Sequence, residues 1–447
     1  MRSISFRVIV TAILVFPFFC CLSEAKRPSL GDFHKDNKQQ EQLMGEQHSP
    51  LGFLDATGIF QVGHDEIKVK YVSRSGPAGM GGLEEGDWIV GANGQSFSKA
   101  TASPRDGGKG PREELGMAME ESLADPKKIL MLTVMREPKM SVKFKSVEVK
   151  RKKVELKIEL PDKIKPYSRT YPVKCERSED ELMDICKWLI QRRDSNGAWG
   201  GPVQSATAGM GVLSTGNKKF KKIIRQAALN CPTSSGGLDS WGMLYAGTFM
   251  CEYYLATGHS KIIPKIEPLV REMEKRTTSN GRHGHGAEVG YNGVGINIIT
   301  THVLLLMALS NECGIDIDMK KGSAWRRAVD HVKASTSGDG YVGYIINGVG
   351  YDEAARTGLF TLAMDIADDE REIKARCSNH LATYYRGMRE AHACGLFGMI
   401  WGTAALKSTD KKGYRDHMDY WKWYMNMGKA PKGEYDVERF YIPAKVN

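Results

Sequence analysis

The sequence is short of the marks that most directly announce a chemistry. None of its nine cysteines falls into Cys-x-x-Cys or another metal-ligand spacing, so no cysteine-based metal site is expected. The apolar run at 8–22 has 15 residues, below the ~20 that a bilayer-spanning helix needs. No aromatic residue interleaves the basic run from Lys145 to Lys165 within the most basic stretch, 139–174, which argues against single-strand nucleic-acid binding there. What is present is ordinary globular usage: 41% hydrophobic and 26% charged residues over 447 positions. That excludes a disordered chain, a collagen and a multi-span membrane protein, and the length asks for two or three domains. The formal net charge of +10 raises the question of a polyanionic partner.

The N-terminal segment reads as a secretory signal. Arg2 and Arg7 precede the apolar run, and Ser23-Glu24-Ala25 supplies small residues at the −3 and −1 positions of a cleavage site. The expectation is a signal peptide over 1–25, a secreted or periplasmic location, and no stable membrane span after cleavage. Seven cysteines then remain: Cys175, Cys186, Cys231, Cys251, Cys313, Cys377 and Cys394. Export permits disulfides, yet Cys186 and Cys251 sit in apolar helical runs, which suits buried thiols.

Residues 26–49 are polar and read as a linker. Beyond them, Val69-Lys70-Tyr71-Val72 alternates as a strand does. Gly82-Leu83-Glu84-Glu85-Gly86-Asp87-Trp88-Ile89-Val90-Gly91-Ala92-Asn93-Gly94 then gives a helix stop, a strand and a tight Asn-Gly turn. A helix is expected over 111–123 and a strand over 129–135. The stretch 50–137 resembles a PDZ domain, especially the permuted kind attached to exported bacterial proteases. The resemblance implies a groove between one strand and the second helix, which takes an extended peptide or protein C-terminus by strand addition. It places the carboxylate-binding loop at Leu51, Gly52, Phe53 and Leu54. The Gly-, Lys- and Pro-rich stretch 96–112 departs from a compact version of the fold and can cover that groove. The alternative is a PDZ-shaped brace that only packs on its neighbour.

Between 142 and 160 the text alternates around Lys150-Arg151-Lys152-Lys153, which predicts a β-hairpin, and 138–175 reads as a basic β-hairpin linker. From 139 to 174 there are twelve Lys and Arg against four Asp and Glu, a net of +8. Nearly all of the excess charge therefore lies in this one segment. It is either an anionic-surface contact or a solvated strand whose lysines discourage edge pairing. No nucleic acid is expected as partner.

From Cys175 onward the pattern is helical and repeats. Helices with one apolar stripe are expected near 178–192, 217–229, 261–275, 323–334 and 370–388, each followed by a glycine-rich stop. The key glycines 197, 237, 281, 340 and 395 stand 40, 44, 59 and 55 residues apart. Helices apolar on most sides follow at 243–256, 298–309, 354–366 and 399–406. Amphipathic then all-apolar means an outer and an inner helix. Trp188-Leu189-Ile190-Gln191, followed by Asp194, Asn196, Gly197, Trp199 and Gly200, resembles the glutamine–tryptophan repeat of terpenoid cyclases and protein prenyltransferases, which are α/α toroids. The resemblance covers about 176–425 and implies that Gln and Gly cap the outer helix while Trp seals the joint. The fold class expected is thus multidomain: an α+β PDZ domain, a β linker, and an all-α toroid of helical hairpins over 176–447. The whole order is similar to a family of exported bacterial proteins with no assigned activity.

The toroid enzymes' own marks are missing. No Asp-x-Asp-Asp acid faces a cavity, the nearest text being Asp365 to Glu370 at a helix end. The Asp-x-Cys spacing at Asp184-Ile185-Cys186 falls inside an expected outer helix rather than at a cavity loop, and no Gly-Cys-Gly-Glu-Gln thioester motif occurs. The remaining candidates lie in the loops before the inner helices: His283, His285, Glu288, Tyr291 and Asn292 in one cluster, Tyr341, Tyr344, Asn347, Tyr351, Asp352 and Arg356 in a second, and His392 in a third. His-x-His beside Glu has metal-ligand or acid–base chemistry, though no metal or cofactor is assigned. Tyr, His, Asn and Arg around a toroid cavity resemble the set used by polysaccharide lyases, and Glu288 with Asp352 is a conceivable glycosidase pair. His302, inside an apolar helix, reads as a core histidine. The leading expectation is a binding protein with the toroid as scaffold or ligand pocket. The rival is a lyase or hydrolase of an acidic polysaccharide.

Overall fold

The computed structural model describes residues 49–61, 63–100, 110–138, 150–234, 236–290, 293–346, 353–388 and 396–428. The expected signal peptide and polar linker lie outside them. An antiparallel sheet comes first and a mostly helical part follows.

The sheet is built from β1 (Ser49–Pro50), β2 (Ala56–Phe60), β3 (Ile67–Val72), β4 (Trp88–Ala92), β5 (Gln95–Ser96), β6 (Ile129–Arg136) and β7 (Lys152–Glu159). The order is β1-β2-β3-β4-β6-β7, with β5 hairpinned onto β4. That hairpin turns on Asn93 and Gly94, both at positive φ, as a two-residue turn between right-twisted strands requires. A one-turn helix, α1 (Pro77–Met80), and a longer one, α2 (Pro111–Ala124), complete this part. In α2, Leu115, Met119 and Leu123 recur every four residues and are buried, so that face packs on β4 and β6. Asp87 is buried beneath a two-pronged Arg136 contact at 2.8 and 2.6 Å, which ties the end of β6 to the turn before β4.

The basic stretch differs from expectation. Lys152 and Lys153, expected in a turn, are strand residues, and β7 pairs with β6 in unbroken register from Ile129↔Glu159 to Arg136↔Lys152. Residues 142–149, the other expected arm, lie outside the described residues. Leu156 and Ile158 face the core while Lys152, Lys153 and Lys157 face solvent, two of them pairing along the strand with Glu155 and Glu159. Described charge here belongs to the solvated side of an outermost strand of the sheet.

The helices follow in order: α3 (Glu176–Gln191), α4 (Pro202–Ser214), α5 (Lys221–Leu229), α6 (Asp239–Thr257), α7 (Ile263–Arg276), α8 (Asn297–Glu312), α9 (Ala324–Ala334), α10 (Glu353–Ile366), α11 (Arg371–Thr383), α12 (Leu396–Thr409), α13 (Lys411–Tyr420) and α14 (Lys422–Met427). Their alternation matches the apolar periodicity. In α9 the stripe Trp325, Ala328, Val329, Val332 is buried, while α8 is buried at every position from Asn297 to Ser310. The mostly buried helices α4, α6, α8, α10 and α12 contact one another in chain order, and the amphipathic helices α5, α7, α9, α11 and α13 pack against them. α4 was not singled out by pattern, although Ser205 to Leu213 is buried throughout. Trp199 seals its joint as expected, its indole N–H donating to the Leu189 carbonyl at 2.7 Å. Gln191 does not cap: its side chain is exposed and makes no hydrogen bond among the described residues. Six described cysteines are buried free thiols; Cys394 lies outside the described residues.

Candidate functional site

The loop before α8 turns its two histidines in different directions. His283 is buried under the end of α7, its Nε2 3.0 Å from the Thr277 hydroxyl. That hydroxyl donates to the Met273 carbonyl at 3.0 Å, so the ring N–H is the donor to Thr277. Burial pushes the imidazole down to about 3. His285 instead stacks on Trp241 of α6, with ring centroids 6.0 Å apart, and its Nδ1 accepts the indole N–H at 2.7 Å. Burial lowers its pKa as well. A neutral imidazole whose acceptor nitrogen is held by an indole offers no lone pair to a substrate proton while that bond stands. Glu288 is exposed. Among the described residues no group of three His, Cys, Asp or Glu side chains could hold a metal ion.

The second cluster serves its own loop. Arg356 is fully buried on α10, donates from Nε to the Val342 carbonyl at 2.9 Å, and lies 5.6 Å over the Tyr344 ring. The Tyr344 carbonyl accepts the backbone N–H of Asn297 at the start of α8, and the Asn297 side chain bridges to the Gly343 carbonyl and to His331. These contacts lock the loop to two helices. Tyr291, Asn292, Asp352 and His392 lie outside the described residues, as do Asn347 and Tyr351.

Helices α6, α8 and α12 meet in an aromatic cluster. Trp401 of α12 donates to the Tyr245 hydroxyl of α6 at 3.2 Å. His302 of α8 packs edge-on against both rings, at 4.7 and 5.2 Å, and shares a 3.1 Å hydrogen bond with Thr248. Phe397 lies 5.4 Å from Tyr245 and 5.9 Å from Trp241. Sequence had a clue to this cluster. Trp241, Tyr245, Thr248 and Glu252 recur at spacings of four, three and four, so they share one face of an otherwise apolar helix. His302 is the satisfied core histidine that the sequence suggested, held at about 3 by burial.

The expected carboxylate loop is also filled. Leu51, Phe53 and Leu54 are buried, and Gly52 touches α14. A Cβ on Gly52 would lie 1.9 Å from the Asn426 carbonyl oxygen, and one on Gly116 of α2 would lie 2.6 Å from the Trp423 carbonyl. Helix α14 is therefore seated between the Leu51–Leu54 turn and α2. Asn426 fastens it: its amide donates to Gly116 and Glu120, each at 3.1 Å, and accepts from Arg177 at 2.5 Å. Arg177 is itself 5% exposed and pairs with Glu120 and Glu181, so this junction is a desolvated, fully partnered network. On the other flank, Ser49 and Pro50 pair with Gly58 and Thr57 of β2. No local signal marks Asn426 or Arg177, because they meet across 249 positions.

A family model described as a domain of unknown function, DUF6288, matches residues 178–443, well over half of the chain. The chain belongs to that family. Its match begins inside α3 and includes every later helix, leaving the sheet part outside. No curated protein and no solved structure matches the chain. No helix of the described residues is long and apolar enough to cross a membrane.

Proposed function

We propose that this DUF6288 protein is an exported binding protein. A PDZ-type unit over 50–137 takes an extended peptide or protein C-terminus in competition with its own α14, and an α/α toroid serves as the rigid scaffold. The observation that carries the reading is the seat of α14 between the Leu51–Leu54 turn and α2. In a PDZ-type unit that is the place of the ligand's end, so partner binding and α14 docking exclude one another. The strand order, the Asn93-Gly94 turn and α2 across β4 and β6 support the PDZ reading. The two layers of helices in alternation support the toroid. The basic, apolar and small-residue pattern at 1–25 supports export.

The polysaccharide-enzyme reading has less to rest on. His283 and His285 point apart, and Trp241, Tyr245, His302, Phe397 and Trp401 occupy the space between inner helices.

The test is a C-terminal peptide array probed with the full chain and with Asn426→Ala. The substitution removes the Asn426 acceptor from one Arg177 nitrogen and the side-chain donor from the Gly116 carbonyl, at a cost of about 1–3 kcal/mol to the docked state. Binding in the variant that is weaker in the parent supports the proposal. Equal binding by both would show that α14 does not gate the groove. Absence of binding in both, with α14 released by hydrogen exchange, would make the sheet part a brace.

A further inference from the structure

A cleft of about 650 Å³ opens on the outer side of the helical part, between the loop after α9 and one face of α11. It shares only Tyr341 with the loop clusters and is separate from the groove at α14. The loop is a tight hairpin: Thr336 bridges Val342, the Ser337 N–H donates to the Tyr341 carbonyl at 2.9 Å, and the Gly340 N–H to the Ser337 carbonyl at 3.1 Å. Gly340 sits at φ +98, and a Cβ there would lie 2.3 Å from the Arg376 carbonyl oxygen, so the hairpin drops directly onto α11. This wall is fixed by backbone contact rather than by side chains.

Three polar side chains of this cleft are unused. Among the described residues, Asp339, Arg376 and Asn379 make no side-chain hydrogen bond or ion pair, and all three are exposed. Rings supply the remaining flank: His380 stacks on Tyr384 with centroids 5.3 Å apart, and Tyr341 tilts against His380 at 5.6 Å. Arg376, Asn379 and His380 stand three and four positions apart on α11, so all address the same side.

We propose that this cleft binds a carboxylated saccharide. The chemistry follows from the set. A guanidinium fork fits a carboxylate in two parallel hydrogen bonds. A carboxylate and an amide beside it accept from and donate to sugar hydroxyls. Tyrosine rings present an apolar flank to the C–H face of a pyranose while keeping a polar tip. The volume lies within the ordinary range for small-molecule sites and accommodates two or three sugar units. A polyphosphate is disfavoured because Asp339 stands opposite the single cation. The site calls for binding only, with no bond made or broken.

The experiment titrates trigalacturonate and its methyl ester into the full chain, by calorimetry or by chemical shifts of labelled protein. It is repeated with Arg376→Ala, Asn379→Ala and, as a control, Arg371→Ala on the same helix outside the cleft. The parent and the control should bind the acid at least tenfold tighter than the ester, with affinity falling as salt rises. Arg376→Ala should lose that preference, and Asn379→Ala should weaken acid and ester alike. The exposed positions of both residues leave folding undisturbed. Equal affinity for acid and ester, an unchanged Arg376→Ala, or no binding of either sugar overturns the proposal. So does a peptide with a free carboxyl end that displaces trigalacturonate at lower concentration.

Discussion

The indole N–H of Trp401 meets the Tyr245 hydroxyl at 3.2 Å, joining α12 to α6 across 156 positions. Both side chains are buried, and their rings lie 5.9 Å apart with His302 wedged against each. These contacts make the junction of α6, α8 and α12 a packed core. They also make that core sensitive to a single ring.

Trp401→Ala should cost about 3–5 kcal/mol, the range for deleting a buried aromatic and leaving its cavity. Tyr245→Phe keeps the volume and strands the indole N–H, costing about 1–3 kcal/mol. Urea denaturation of the three proteins checks the order. A Trp401→Ala protein as stable as its parent would mean that the cluster is loosely packed.

Gly52→Ala tests the docking of α14 from its other side. The residue sits at φ +56 with the Asn426 carbonyl in the way of any Cβ. A loss of about 1–3 kcal/mol is expected from strain alone. Amide exchange over 422–427 should accelerate more than exchange in α8. Uniform acceleration would instead indicate global destabilisation without release of the helix.

Glu252 predicts a pH effect. Its carboxyl is buried in α6, Oε2 has no hydrogen-bond partner, and burial raises its pKa to about 8. The folded state therefore holds a proton that the unfolded chain releases near 4.5. Stability falls as pH rises from about 4.5 to about 8, then levels off, with a slope of up to ~1.4 kcal/mol per pH unit. Glu252→Gln should remove that slope, so the variant gains on its parent toward pH 8. Parallel stability curves for the two would show that Glu252 does not titrate in this window.

The buried histidines act in the opposite sense. Burial pushes His283, His302 and His417 down to about 3, so they stay neutral in the fold where the unfolded chain takes up protons. Stability contributed by their neutrality is complete above about 6.5 and is lost as pH falls toward 3. His417→Gln can keep a hydrogen bond to Thr403, 2.6 Å from the present ring nitrogen, and should flatten the acid limb by up to ~1.4 kcal/mol per unit. Acid unfolding followed by circular dichroism measures it. An unchanged acid limb would exclude His417 as a contributor.

The amino-acid sequence by itself determined the elements. Alternation marked β3, the Asn93-Gly94 pair marked the turn from β4 to β5, and apolar stripes separated the amphipathic helices α7 and α9 from the apolar α8. Those properties are local, because side-chain period and turn chemistry act within a few residues. Tertiary structure decided what the candidate residues do. His283 and His285, two positions apart, part company because one meets Thr277 and the other Trp241. The basic segment proved to hold an outer strand of the sheet, since β6 supplies the partner for β7. The Leu51–Leu54 turn is filled by α14 because Asn426 reaches Arg177 and Gly116 from hundreds of positions away. Hydrogen bonding and desolvation at such sites depend on groups that only folding brings together, and no pattern along the chain encodes which ones will meet.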